Sequence, residues 1–266
     1  MKNKSSSRIC AEGMSKNMSA EFDKLAGSYD NWHENLIKGS GFSREYFLEY
    51  KVKETAKALA GQGINPKNIL DFGCGVGDVE PYLQKYFPDA KIFAVDISAD
   101  SIETAKKTAE ARGLSGITFA ALDEAWISNN FLSRFEKFDL VFAAGVFHHI
   151  PPSEHSKILS AIEKQMCKNA KIFIFELNPL NPATRHVFAK YEKPVDKHAN
   201  LISPSAFKKA MKSCGLRTSR TFYTIFFPHA LKIFIPLEKH LSRVPFGAHY
   251  FLLGEKGEKG GKGEEL

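Results

Sequence analysis

Between residues 68 and 177, short apolar runs alternate with longer stretches whose apolar positions recur every three or four residues. Near-continuous apolar runs read as parallel strands buried on both faces, and the stretches between them as amphipathic helices. The runs fall at about 68–72, Lys91–Asp96, Ile117–Leu122, Phe138–Ala144 and Lys171–Leu177. One helix is expected over about 77–86. A second starts at a Ser98 cap and stops at Gly113, with Ile102, Ala105 and Ala109 inward. A third follows Pro152 and lines up Ile158, Leu159, Ile162 and Met166. Ahead of the first run, Ser43 to Ala60 reads as a helix with Leu48, Val52, Thr55, Ala56 and Leu59 on one face, ended by Gly61 and Gly63.

After residue 177 the pattern changes. Ser203-Pro204 supplies a cap and a first-turn proline, Phe207, Ala210, Met211 and Cys214 face inward, and Gly215 closes the helix. Thr218–Phe227 and His249–Leu253 read as two more strands. The apolar, partly helical segment His229–Val244, interrupted by Pro236, joins them, a connection that suits antiparallel pairing at a sheet edge. Strands alternating with helices predict an α/β fold around one mostly parallel sheet.

The ends read differently. Residues 1–19, rich in Lys, Ser and Asn, are expected to be a disordered arm, and the Gly/Lys/Glu tail 255–266 likewise. The aromatics of Phe22–His33 predict that this segment packs somewhere. No repeat or linker divides residues 20–254, which are expected to form a single domain.

Composition changes the picture little. With 43% hydrophobic residues the chain can build a sizeable core, and its formal charge of +7 suits an anionic partner without choosing one. Cys10, Cys74, Cys167 and Cys214 show neither C-x-x-C pairing nor zinc-like spacing, which fits a reduced, cytoplasmic setting. No apolar run approaches the ~18 residues of a membrane span. Nor is there a metal constellation or a recognisable nucleic-acid-binding module.

The candidate chemistry gathers where the strands end. Ile69-Leu70-Asp71-Phe72-Gly73-Cys74-Gly75-Val76-Gly77-Asp78 is a buried strand running into a glycine turn and a helix start. Such a turn lets a ligand approach the backbone closely and faces helix N–H groups toward it. The spacing is G-x-G-x-G, and Asp78 stands where the third glycine of a dinucleotide-binding G-x-G-x-x-G would fall. Asp96 ends the second strand, where a carboxylate can accept from ribose hydroxyls; its spacing serves nicotinamide cofactors equally well. Ile97 beside it is placed to stack on a base, and Asp123, after the third strand, to accept from an adenine amino group. Gly145-Val146-Phe147-His148-His149-Ile150-Pro151-Pro152 follows the fourth strand. Adjacent side chains of an extended segment point opposite ways, so one of the two histidines is expected to face the cleft.

These features together resemble the class I S-adenosylmethionine (AdoMet)-dependent methyltransferases: Asp71–Gly77 as motif I, Asp96 as the post-I acid, Asp123 as motif II and Phe138–Pro152 as motif IV. The Phe22–His33 segment resembles the lead segment of small-molecule methyltransferases of the quinone-biosynthesis type. The resemblance implies a Rossmann-like sandwich with a seven-stranded sheet, order 3-2-1-4-5-7-6, strand seven antiparallel. It implies a division of the domain into an N-terminal lid (20–63), an AdoMet-binding core (64–180) and acceptor-side elements (181–254). It also implies AdoMet as cofactor, held through Asp71, through the backbone of Gly73, Cys74 and Gly75, and by Asp96, Ile97 and Asp123, with Ala144 and Gly145 near its methionine part. His149 is the first candidate general base, with Tyr29, His33 and Glu176 behind it. The expected acceptor is a small molecule or a lipid-linked compound, with contact at the inner membrane surface. For it, aromatic residues of Phe222–Leu253 with Tyr29 and Trp32 would form a roof, and Lys232, Lys239 and Arg243 would supply cations. The ending from Phe226 to Tyr250 carries a weaker resemblance to bacterial methyltransferases of glycan or glycolipid assembly. The alternatives are an NAD(P)-dependent oxidoreductase, against which the glycine spacing and the His-His-Ile-Pro stretch count, and a non-catalytic AdoMet-binding protein.

Overall fold

A computed structural model describes residues 37–123, 125–192 and 199–257. The elements in chain order are α1 (Arg44–Ala60), β1 (Asn68–Phe72), α2 (Glu80–Tyr86), β2 (Lys91–Asp96), α3 (Ala99–Ala111), β3 (Ile117–Ala121), β4 (Phe138–Ala144), α4 (Pro152–Gln165), β5 (Met166–Leu177), α5 (Pro182–Val187), α6 (Pro204–Ser213), β6 (Leu216–Thr224), α7 (Glu238–Leu241) and β7 (His249–Lys256). A 3-10 helix, His229–Leu237, leads into α7. One seven-stranded sheet runs in the order β3-β2-β1-β4-β5-β7-β6. β7 is antiparallel to both neighbours and the other pairings are parallel. The order and the single reversed strand are those the resemblance implies.

Alternation along the strands divides the core into two faces. Ile69, Leu140, Phe142, Phe173 and Phe175 meet Val52 and Leu59 of α1 and Leu83 of α2 on one side. Leu70, Phe72, Val141, Ile172 and Ile174 meet Ile158, Leu159 and Ile162 of α4 and Phe207 and Met211 of α6 on the other. Both faces are therefore covered, and fully buried strands such as β4 carry almost no polar residue. The Ser98 and Ser203 side chains accept from backbone N–H groups three residues on, so the residues read as caps do cap, and Ser43, read as the first helical residue, caps α1 in the same way.

The structure departs from the expected boundaries at four places. The second helix starts at Glu80 rather than near 77, because the turn holds Gly77 at φ +83 against Ala105 of α3, with no room for a Cβ. Met166 is the first residue of β5, not the last of the helix. It pairs with Phe138, and an irregularity follows before Lys171 pairs beside Leu140. A buried Met at that spacing satisfies both periods. β6 covers Leu216–Thr224 and stops where Ile225 turns to φ +62. β7 continues to Lys256, where Glu255 accepts from Lys171 and Lys256 reaches the carbonyls of Glu163 and Met166, so residues 255 and 256 belong to the sheet and not to a tail.

Candidate functional site

All parallel strands present their carboxyl ends at one edge. β7 is reversed, so its first residue, His249, and the last residue of β6, Thr224, lie at that edge too. Ligands of open α/β sheets bind there. The edge gathers the glycine turn after β1, Asp96 at the end of β2, Asp123 after β3 and the histidines after β4.

The three glycines of the turn do different work. Gly73 is packed: a Cβ there would overlap the Val146 side chain at 2.4 Å. Gly75 (φ +55) is open, with nothing within 4 Å of a Cβ position, and its N–H donates to Asp96 Oδ2 at 2.9 Å. Gly77 anchors the turn on α3. The N–H groups of Gly73 and Cys74 are both taken by the Val95 carbonyl, at 2.8 and 3.1 Å. Neither N–H is therefore left as a donor for a ligand. The Cys74 side chain enters a small core with Ala94 and Ile102, where burial pushes its thiol well up.

Asp96 accepts from Gly75 with one oxygen and from Ser98 N–H with the other, at 2.9 Å, so its carboxylate is fixed beside the turn. Burial raises it, and the backbone donors and His149 oppose that rise. Ile97 is half-buried beside it, and Asp123 is exposed in the loop after β3. Ala144 and Gly145 are half-buried at the end of β4, and the Gly145 N–H is held by the Phe175 carbonyl at 2.8 Å.

The two histidines part company. His148 turns inward, and its Nδ1 meets Glu176 Oε2 at 2.7 Å. Glu176 also accepts from Phe147 N–H at 2.8 Å. Burial would raise the Glu176 carboxyl, but His148 and that N–H hold it below its ordinary range. Glu176 is thus a buried clamp on the loop rather than a base. His149 is half-buried, its ring 4.0 Å from that of His148, within electrostatic reach of both Asp96 and Glu176. The segment is a 3-10 turn, Phe147–His149, not an extended stretch, so the two rings lie side by side rather than on opposite faces, and they differ in burial and partners instead. A third histidine, His155, is structural: its Nε2 meets the carbonyls of Phe147 and Ile150 at 3.0 and 2.9 Å. Tyr29, Trp32 and His33 lie outside the described residues.

Four charged residues of the site were missed in the sequence. Arg44 and Lys51 lie two turns apart on α1. Arg44 pairs with Asp78, straight after the glycine turn. Lys51 faces Glu176 and Asp71 across the end of β4, and burial pushes its ammonium down to about 8 against their pull. A charge on the inward face of an amphipathic helix, in line with Leu48, Val52 and Thr55, was the signal. Glu80, the first residue of α2, is fully buried beside Asp71. Burial, with the charge of Asp96 behind it, pushes Asp71 up to about 7, and burial with the charge of Asp71 pushes Glu80 well up. Two buried carboxyls side by side at the strand end oppose each other's ionisation. Glu238, the fourth, accepts from the backbone N–H groups that follow β6.

An open cradle at Gly75, a fixed carboxylate at the end of β2 and a buried acid with an unpartnered oxygen at the end of β1 fit a cationic nucleoside. The sheet order, with its reversed β7, departs from the dinucleotide-binding order 3-2-1-4-5-6. Fold and edge together define a Rossmann-like AdoMet-binding sandwich. The chain belongs to the methyltransferase domain family, whose model matches residues 44–220. It is an AdoMet-dependent methyltransferase. A ubiquinone biosynthesis O-methyltransferase of Actinobacillus pleuropneumoniae serotype 5b (strain L20) is 23% identical over 194 residues, 66% of this chain and 78% of that protein. The fold is shared with the magnesium protoporphyrin IX methyltransferase of Synechocystis PCC 6803 crystallised with S-adenosylhomocysteine. That match has a TM-score of 0.59 and 17% identity, over 90% of this chain and 99% of that one. It is also shared with an AdoMet-dependent methyltransferase of Clostridium acetobutylicum ATCC 824, at a TM-score of 0.60 and 12% identity over 87% and 99%. Among the described residues, no helix is long and apolar enough to cross a membrane.

Proposed function

We propose that the protein methylates an apolar small-molecule or lipid-linked acceptor. The carrying observation is the meeting of His149, Asp96 and the open Gly75 at one edge, with an aromatic wall beside them. That wall runs along α1: Phe42 stacks on Tyr46 at 4.1 Å, Tyr46 on Tyr50 at 6.0 Å, and Phe47 on His249 at 5.7 Å. A flat or extended apolar acceptor suits such a wall. Of the roof expected from the sequence, Phe222 instead packs the sheet, stacked on Phe251 at 4.7 Å. The similarity to a ubiquinone O-methyltransferase supports an oxygen acceptor on an apolar molecule.

AdoMet supplies, when bound, a methyl group already activated on a sulfonium. The chain's part is to bind, align and remove a proton. Asp96 takes the ribose hydroxyls, Ile97 and Asp123 flank the adenine, and the Gly73–Gly75 backbone, Ala144 and Gly145 line the rest. Asp71 offers negative charge to the cationic end, and Lys51 an ammonium to a carboxylate. Placement of the acceptor supplies much of the rate. His149 takes the proton of an acceptor hydroxyl, and Glu176 with His148 fixes the loop that carries it.

Calorimetry tests the cofactor half. AdoMet and S-adenosylhomocysteine should bind and NAD(P)H should not. Asp96→Ala should cost roughly 1.5–3 kcal/mol of AdoMet binding, the range for hydrogen bonds to a charged group. Equal affinity in wild type and variant removes Asp96 from the site. Assays on polyprenyl-linked, aromatic and water-soluble acceptors test the other half, and preference for a small polar acceptor rejects the apolar reading.

A further inference from the structure

The connection between β6 and β7 leaves its apolar residues outside. No residue of His229–Leu237 is buried. Ile233 is 79% exposed and Leu237 51%, with Leu231 and Phe234 exposed beside them. Val244 and Phe246, later in the same connection, are exposed as well. Large apolar side chains gathered on a surface mark a place of contact. Here the exposure is built in. Ile225 holds φ +62, a rare backbone state for a β-branched residue. The Glu238 carboxylate accepts from the N–H groups of Ile225, Phe226 and Phe227, at 3.2, 2.8 and 3.1 Å. Gly247 lets the returning chain pass against Thr224, where a Cβ would meet the carbonyl at 2.5 Å. The connection is thus clamped at its base while its tip carries the apolar residues.

Charge decides what covers it. Lys232, Lys239 and Arg243 are exposed on this connection, and its one acid, Glu238, is spent on the clamp. Exposed apolar side chains and cations on one short connection fit the boundary between the headgroups and acyl chains of an anionic bilayer. The place fits too. His229 meets Phe42 edge-on at 5.4 Å, and two residues on Arg44 pairs with Asp78 beside the glycine turn. The tip and the cleft therefore share one side of the molecule.

We propose that the 3-10 helix His229–Leu237, with Val244 and Phe246, docks on an anionic lipid bilayer and sets the acceptor side of the cleft at headgroup level. This rests on the acceptor reading above only for its purpose; docking itself needs no cofactor and no methyl transfer. Co-sedimentation of the full chain with phosphatidylglycerol-containing vesicles and with pure phosphatidylcholine vesicles tests it. The wild type should pellet with the anionic vesicles about tenfold better than with neutral ones, an advantage that high salt removes. Ile233→Asp/Phe234→Asp should weaken pelleting at least about tenfold, with melting temperature and AdoMet affinity unchanged. Lys232→Glu/Lys239→Glu should abolish the preference for anionic vesicles. A wild type that stays in the supernatant overturns the proposal, as does an aspartate variant that pellets equally well. A lower melting temperature in that variant would mean that the chain itself covers the face. A wild-type dimer that the variant dissolves, read by light scattering, would mean a second copy covers it. Either result rejects the bilayer. If docking fails while methyl transfer to an apolar acceptor is found, the function stands without it.

Discussion

The two ends of the sheet's carboxyl edge are built in opposite ways. Around β1, β2 and β4, backbone bonds fix the loops: Gly73 and Cys74 to Val95, Gly145 to Phe175, Leu122 to Asp96. Around β6 and β7, side chains do most of the holding: Glu238 accepts from three backbone N–H groups, Asn178, Asn181 and Thr184 donate to the carbonyls of residues 245–248, and apolar residues point outward. The first construction suits a cofactor of constant shape, since a site made of main chain tolerates little change. The second leaves the side chains free to vary without disturbing the sheet, which suits an acceptor that differs from one enzyme to another. Substitutions at the two ends should therefore fail differently.

Gly75→Val is the strongest test of the backbone-built end. A side chain there would fill the open cradle, so AdoMet binding by calorimetry should be lost. The fold should survive, since nothing lies within 4 Å of the new Cβ. The positive φ adds roughly 1–2 kcal/mol of strain, which chemical denaturation would show as a modest loss of stability. If the variant binds AdoMet normally, the turn is structural only, and the contrast between the two ends collapses.

His149→Ala comes next. Loss of a general base should lower turnover by about 10²–10⁴ and leave AdoMet affinity nearly unchanged. His148→Ala makes the control, because it removes the partner of a buried carboxylate and should cost stability before anything else. Unchanged turnover in His149→Ala would mean an acceptor that gives up no proton, or a base elsewhere. A collapse of folding in that variant would make His149 structural like His155.

What the sequence displays follows the same contrast. Apolar periodicity and glycine spacing are local signals, so the strands, the glycine turn and the position of Asp96 are readable there. The partners of these residues are not local. Asp71 meets Glu80 only because a buried strand end faces a buried helix start. Lys51 reaches Glu176 across β4 from a helix that precedes the whole sheet. Glu238 looks like any acid at a helix start until its three backbone donors are seen. Phe222 belongs to the same aromatic-rich stretch as Phe227, yet strand alternation sends it into the sheet. A run of aromatic residues records how much apolar surface a segment has, not which side of it is covered.

The acid pair gives the smallest effect and the finest distinction. Asp71 is pushed up to about 7, with Glu80, Asp96, Lys51, Cys74 and, through Glu80, Asp78 as the titratable groups around the pair. Its unfolded value is near 4. Between those limits the folded chain keeps a proton that the unfolded chain has lost, so the contribution of Asp71 to stability without ligand is fully present below about pH 4 and is lost as pH rises through 7. A cationic ligand reverses the balance, because it favours the ionised Asp71 and releases the proton. AdoMet should then bind roughly tenfold more tightly at pH 8 than at pH 6, as one proton with a pKa near 7 requires. Titrations in buffers of different ionisation enthalpy should report proton release at pH 6. Asp71→Asn removes the titrating group, so affinity should become flat across the same range, while Glu80→Gln keeps a neutral donor beside Asp71 and should leave the dependence in place. Equal AdoMet affinity at pH 6 and pH 8 in the wild type would place the acid pair outside the cofactor's field. The backbone-built end would then bind by shape alone.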